Sequence, residues 1–273
     1  MSSRRLIRQY LSHCHFNTTF HRVSSARNMA TLSVNPFLSG QPWDTPYNLP
    51  PFRDITADHF REAFPVALEN HLTEVAALVS NPEPPTFDNT IAAFDRSGAQ
   101  ISLIKDVFQN LCSSCSSTEL QAVELDLSGP LAAHDSKIYM SGLFSRITPI
   151  YERRNDLHLS SEQIRLVERF HLDFVRAGTR FDTESQARYS GIMERLAILN
   201  TKFTQNITGD ENEYAIFLSP DELGGLPEFV KTACRSAAIE RGQPESYAVT
   251  LSRSLVVPFL TFSDNRALRE KAW

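Results

Sequence analysis

Residues 160–209 read SSEQIRLVERFHLDFVRAGTRFDTESQARYSGIMERLAILNTKFTQNITG. Two Ser/Thr-x-x-Gln motifs open this stretch and its second half, at Ser160 and Thr183. In such a box the Ser or Thr hydroxyl accepts from the backbone N–H three residues on, and the Gln side chain returns the bond. Behind Ser160, Phe170, Phe174 and Val175 follow, and Gly178 supplies a stop. Behind Thr183, Tyr189, Ile192, Leu196, Leu199, Phe203 and Ile207 recur every three to four residues, with a stop expected at Gly209. That is the period of helices burying one face, and it predicts consecutive helices.

The same period extends outward. Thr56 is placed to cap a helix with the stripe Phe60, Phe64, Leu68, Leu72, Val75 and Val79, with a kink expected at Pro65. NPEPPTFD breaks the chain at 81–88. One long amphipathic helix is then predicted through Ile91, Phe94, Ile101, Ile104, Phe108 and Leu111. A third box, TELQ at Thr118, starts a helix expected to bend at Pro130. Near the end, Ser219–Glu222 forms another box with Pro220 in its first turn, and PEFVKTACRSAAIERG reads as a short helix closed by Gly242. EYAIFLS (213–219) and SYAVTLSRSLVVPFLTF (246–262) read as strands. The final SDNRALREKAW reads as the start of a helix capped by Ser263, with Asp264 in its first turn. Its Leu268, Ala272 and Trp273 fall on one stripe that needs a partner surface. The fold class is mainly α: a multi-helix bundle with a small β element near residues 213–262.

Composition bounds the rest. The chain has 273 residues, 41% hydrophobic and 22% charged, which suits a globular protein with a sizeable core. No apolar run approaches the ~18 residues of a spanning helix, so no membrane partner is expected. Residues 1–43 hold Arg4, Arg5, Arg8, Arg22 and Arg27 and no acid. All 32 acidic residues lie from Asp44 onward against 22 Lys and Arg, so that remainder carries ten more acids than bases. Such a body does not suggest nucleic-acid binding. The leader MSSRRLIRQYLSHCHF separates Arg4, Arg5 and Arg8 from Leu6, Ile7, Tyr10 and Leu11 on a helical wheel. An acid-free, Arg- and Ser-rich amphipathic start is the composition of an organellar transit peptide. Residues 1–34 are therefore read as a transit peptide for mitochondrion or plastid, with a cytosolic form starting at Met29. Residues 35–55, with five Pro between 36 and 51, read as an extended lead-in, and 56–273 as the helical domain. Four Cys, at 14, 112, 115 and 234, are too sparse for a disulfide framework and fit a reducing compartment.

Motifs that carry chemistry are weak. Cys112-Ser-Ser-Cys115 has redox or half-zinc spacing, but it follows the C-terminal end of a helical stripe, where no dipole lowers a thiol pKa. Glu168-x-x-His171 is one copy of a motif that di-iron bundles use twice. His13-Cys14-His15 lies in the leader. None of the eight His is followed by Glu, so there is no His-Glu-x-x-His motif. G-x-S-x-G and phosphate-binding Gly patterns are absent, and Glu119, Glu124 and Asp126 read as a solvated helix face. No catalytic, cofactor-binding or metal-ligating residue is assigned.

Eight segments in order carry a resemblance. They are NPFL (35–38), LPPFRDITADHFREAF (49–64), PPTFDNTIAAFDRSG (84–98), LFSRITPIYE (143–152), FVRAGTRFD (174–182), LAILNTKFTQNI (196–207), LGGLPE (223–228) and PFLTFSDNRALREKAW (258–273). Together they resemble the N-terminal region of the thimet-oligopeptidase family of zinc peptidases, near oligopeptidase A and peptidyl-dipeptidase Dcp. The resemblance implies a nearly all-helical wall of a channel that admits short peptides. It also implies a zinc site in a later part of the polypeptide, where a His-Glu-x-x-His helix binds the metal and its Glu acts as general base. None of those residues can be carried over, because this sequence ends before the family places them. The expectation is thus the N-terminal part of a zinc-dependent oligopeptidase, cut within its last helix. Zinc belongs to the parent enzyme and short oligopeptides are its partners. The chain itself is expected to bind no zinc and to be inactive alone. The alternatives are a stand-alone, non-catalytic peptide- or protein-binding module and an unrelated metal-binding bundle.

Overall fold

The computed structural model describes residues 35–273, so the leader, His13-Cys14-His15 and Met29 lie outside the described residues. The architecture is mainly helical with one two-stranded sheet. The chain divides into two compact units, one ending at Ile198 and one running from Leu199 to Trp273.

In the first unit the lead-in is built of turns and is tied down, where an extended stretch is expected. The Asn35 amide donates to the His59 carbonyl at 2.9 Å and to Glu62 at 3.1 Å. Phe37 is buried with its ring 5.1 Å from Phe60, and the Trp43 indole donates to the Pro36 carbonyl at 3.0 Å. Helix α1 (Ala57–Val79) follows, its Thr56 backbone N–H donating to His59 Nδ1 at 3.2 Å. It continues through Pro65 without interruption. Phe60, Ala63, Phe64 and Ala67 are buried around the proline, and that packing holds the helix across the missing N–H.

The long helix expected over 91–111 is broken. A π-helical turn (Phe87–Ala92) leads into α2 (Ala93–Arg96), and after a break at Ser97–Gly98 comes α3 (Ala99–Ser114). Gly98 adopts φ +68°, its N–H donates to the Glu74 carboxylate at 2.7 Å, and a Cβ there would lie 2.8 Å from the His71 ring. Helix α1 thus fixes the break. Helix α4 (Thr118–Tyr139) is capped by Ser117, one residue before the expected Thr118, and continues through Pro130. Helix α5 (Phe144–Glu152) carries Arg146, which is buried and whose Nη1 donates to the carbonyls of Asn81 at 2.7 Å and Glu83 at 3.2 Å, closing the NPEPPTFD loop.

Helix α6 (Ser161–Arg176) begins at the expected box, with Ser160 and Gln163 exchanging bonds of 2.9 and 3.2 Å. Gly178 follows it at φ +85°. Helix α7 (Thr183–Glu213) is capped by Asp182 rather than Thr183. The Asp182 carboxylate accepts from the Ser185 backbone N–H at 2.8 Å and from its hydroxyl at 3.2 Å, and those bonds hold its pKa below the usual carboxylate range. An acidic side chain one residue earlier outcompetes the hydroxyl, as helix N-termini favour negative charge. The helix also passes the stop expected at Gly209, which takes no left-handed φ. Glycine inside a helix costs only about 1 kcal/mol.

Two apolar clusters fill this unit. One gathers Phe37, Phe60, Phe64, Ile104, Phe108 and Val123, with Phe60 and Phe108 meeting edge-on at 4.9 Å. The other gathers Val75, Ile91, Leu143, Ile147, Val167 and Phe174.

In the second unit β1 (Ala215–Leu218) pairs antiparallel with β2 (Tyr247–Thr250), Ala215 opposite Thr250 and Leu218 opposite Tyr247. Helix α8 (Glu228–Glu240) packs Val230, Cys234 and Ala238 into the same core as Ile216, Leu218, Ala248 and Val249. Only the start of the strand expected over 246–262 is extended. Its second half is helix α9 (Arg253–Phe262), which buries Leu255 and Phe259, four residues apart on one helical face. Helix α10 (Arg266–Ala272) is capped by Asn265, which accepts from the Leu268 N–H at 3.2 Å. The expected cap Ser263 and Asp264 precede the helix, and the Asp264 N–H donates to the Gly224 carbonyl at 3.1 Å. Leu268 and Ala272 join the core of this unit, while Trp273 is 97% exposed. The stripe read at the end of the sequence is thus split between core and solvent.

This packing can be tested at single positions. Phe60→Ala should lower stability by about 3–5 kcal/mol, the usual cost of a cavity left by a buried ring. Gly225 has φ +78°, and a Cβ there would lie 2.3 Å from the Phe262 carbonyl oxygen, whereas Gly242 at φ +73° has open space. Gly225→Ala should therefore cost about 3 kcal/mol or more and Gly242→Ala only about 1 kcal/mol, as read from denaturant midpoints.

Candidate functional site

The residues singled out by spacing are engaged in structural roles. Glu168 accepts from Arg154 Nε at 3.2 Å and lies 3.5 Å from Arg165. His171 stacks on the Tyr151 ring at 3.8 Å and 5°. Burial lowers the His171 pKa, with the guanidinium groups of Arg180 and Arg154 adding to it. The motif is an ion pair and a stack on one helix. Cys112 sits half-buried near the C-terminal end of α3, its thiol pushed up to about 12 by burial and then by the Glu124 carboxylate. Cys115 is exposed at the end of that helix. Buried Cys234 is pushed up to about 11 by burial. Neither shifted thiol supplies a thiolate near neutral pH. Asp126 pairs with Arg61 at 3.0 Å. Among the described residues no group of three or more His, Cys, Asp or Glu is placed to hold a metal ion, and no described helix is long and apolar enough to cross a membrane.

The structure brings together a pair that spacing does not reveal. His71 of α1 and His134 of α4 lie with ring centroids 5.0 Å apart. Beside His71 is a cavity of about 250 Å³ that Asp95, Ser97, Tyr139, Phe170 and Asp173 help to line. Ser97 Oγ donates to the Phe94 carbonyl at 2.7 Å, so at its 3.3 Å contact with His71 Nε2 it is the acceptor. The imidazole therefore donates a proton to the serine and does not withdraw one, which is the reverse of a nucleophile–base pair. His134 Nδ1 faces Asp135 at 3.5 Å. His71 Nδ1 and His134 Nε2 are buried without a hydrogen-bond partner among the described residues. The His71 pKa is lowered by burial first and then by His134, against the opposing carboxylates of Glu74 and Asp135. Tyr139 is raised by burial and by Asp173. The cluster is a polar joint between helices α1 and α4.

A group whose folded pKa is depressed contributes stability that is present above its unfolded value and lost as pH falls. For His71 that window opens near pH 6.5 and extends downward. The thermal midpoint should fall on going from pH 7.5 to 5.5. In His71→Gln the fall should be smaller, the remainder coming from His171, which is shifted the same way. An identical fall in the variant would remove His71 from the explanation.

No protein-family model matches the chain. Known relatives do. Dipeptidyl carboxypeptidase of Escherichia coli is 32% identical over 241 residues, 88% of this chain and 35% of the relative. Oligopeptidase A of the same organism is 26% identical over 242 residues, 88% of this chain and 35% of the relative. The Arabidopsis thaliana protein named organellar oligopeptidase A, chloroplastic/mitochondrial, is 24% identical over 259 residues, 92% of this chain and 32% of the relative. The chain spans about a third of the length of the curated relatives it matches. It belongs to the thimet-oligopeptidase family of peptidases.

Proposed function

We propose that this member of the thimet-oligopeptidase family is the N-terminal, channel-wall part of a zinc-dependent enzyme that hydrolyses short peptides. In this reading the zinc ligands and the general base lie in the two thirds of the relatives' length that the chain does not span. The observation that carries it is the match of nearly nine tenths of this chain to about a third of a dipeptidyl carboxypeptidase. The structural engagement of Glu168, His171 and Cys112 supports placing the chemistry elsewhere in the polypeptide. The acid-free leader, together with the name of the Arabidopsis relative, supports delivery to a mitochondrion or plastid, with a cytosolic form from Met29.

The test is a fusion. The 273-residue chain is joined in frame to the part of the E. coli dipeptidyl carboxypeptidase that the match leaves unspanned. The fusion should release dipeptides from short peptides, lose that activity to a chelator and recover it with zinc. The 273-residue chain alone should hold less than 0.1 equivalent of zinc and cleave none of the same peptides. Chelator-sensitive hydrolysis by the chain alone, or a folded, zinc-loaded and inactive fusion, would overturn the reading.

A further inference from the structure

The cavity of about 250 Å³ beside His71 belongs to the first unit, since every residue lining it precedes Ile198. Its polar lining is unbalanced between donors and acceptors. Asp95 and Asp173 contribute carboxylates, which only accept. Ser97 spends its proton on the Phe94 carbonyl at 2.7 Å, so toward a ligand it offers lone pairs. His71 spends its Nε2 proton on Ser97 at 3.3 Å. Among the described lining side chains the Tyr139 hydroxyl is then the one with a proton to give.

Charge is unbalanced in the same sense. Among the described residues no Lys or Arg lines this cavity. Arg169 Nε engages Asp173 Oδ2 at 3.0 Å, but with Arg165 it borders a neighbouring cavity of about 450 Å³. Asp95 borders both cavities and enters none of the ion pairs among the described residues. The apolar wall is aromatic: Phe94 lies 5.1 Å from Phe170 and 5.7 Å from Phe174, and all three rings line the space. Ring faces carry the negative end of the aromatic quadrupole and attract cations.

These features sort the occupants. An anion would meet two carboxylates and one hydroxyl donor. A neutral hydrocarbon would cover acceptors without pairing them, which is costly. A bare metal ion is poorly served, because no group of three His, Cys, Asp or Glu among the described residues is placed to hold one. A cation with N–H donors on a short apolar body satisfies both the acceptors and the rings. The volume, below the ~300 Å³ at which drug-sized pockets begin, limits that body to a few carbons.

We infer that this cavity binds a small organic cation, a primary ammonium or guanidinium on a short hydrocarbon chain. Asp95, Asp173 and Ser97 accept its N–H groups, and the chain lies against Phe94 and Phe170. The inference does not depend on the peptidase reading and is tested on the 273-residue chain without peptide hydrolysis.

The probes are n-butylguanidinium and n-butylammonium, with 1-pentanol as the uncharged and pentanoate as the anionic counterpart. Dissociation constants are read by ligand-observed NMR at pH 7.5. Both cations should saturate at millimolar concentrations, and the alcohol and the acid should bind at least tenfold more weakly. n-Butyltrimethylammonium, which keeps the charge and lacks N–H groups, should bind at least fivefold more weakly than n-butylammonium. Asp95→Asn should weaken n-butylguanidinium about fivefold or more with its thermal midpoint unchanged, Asp95 being exposed and outside the ion pairs. Asp126→Asn, on α4 and paired with Arg61, should leave the affinity unaltered. N-acetylarginine amide distinguishes the sources of the cation. Binding as tight as that of n-butylguanidinium assigns the cavity to a peptide side chain, and binding at least tenfold weaker assigns it to a free amine or guanidine; both support the inference. Absence of saturation by either cation, equal binding of 1-pentanol or pentanoate, equal binding of the trimethylated cation, or indifference to Asp95→Asn would overturn it. The comparison among ligands uses the unaltered chain, so it stands whatever the variants do to folding.

Discussion

Helix α7 has 31 residues and buries none of them. A helix in water draws most of its stability from covering an apolar face, and isolated helices are marginal even when their propensity is good. Every other helix longer than ten residues in the described structure meets this condition. Helix α1 buries Phe60, Phe64 and Val75, α3 buries Ile101 and Ile104, α4 buries Leu120 and Val123, α6 buries Val167 and Phe174, and α8 buries Val230 and Cys234. Helix α7 instead turns Ile192, Leu196, Leu199 and Phe203 outward.

Glu168 and His171, which look chemical in the sequence, hold neighbouring segments together. Glu168 is held between two arginines, His171 stacks on Tyr151, and Arg146 closes a loop through backbone carbonyls. A buried guanidinium needs acceptors because leaving a charge unpaired in a low dielectric is expensive. Arg146 finds them in Asn81 and Glu83, which fixes the turn between α1 and the π-helical segment. At the His71–His134 joint the His71 imidazole donates to Ser97 and sits against Gly98, where no side chain fits.

Much of this was legible from residue order. The capping box at Ser160, the stops at Gly178 and Gly242, and the small β element near the end follow from local chemistry and are present. What was not legible depended on competition or on distance. Asp182 and Ser117 displaced the threonines beside them because a cap is chosen by geometry among neighbouring acceptors. The segment 253–262 is β-branched and aromatic, yet it is helical because Leu255 and Phe259 reach the same core from one helical face. The break at Gly98 is imposed by Glu74 and His71 on another helix, and no local period reports it. The imidazole pair brings together residues far apart in sequence with no motif to announce them.

The central claim is that the chain builds its own cores and that helix α7 contributes no buried residue to them. Amide hydrogen exchange of the 273-residue chain tests it most directly. The account predicts that amides of Ile192–Phe203 exchange at least a hundredfold faster than those of Phe60–Val75, because opening α7 uncovers no core while opening α1 uncovers two. Equal protection of the two segments would contradict the account.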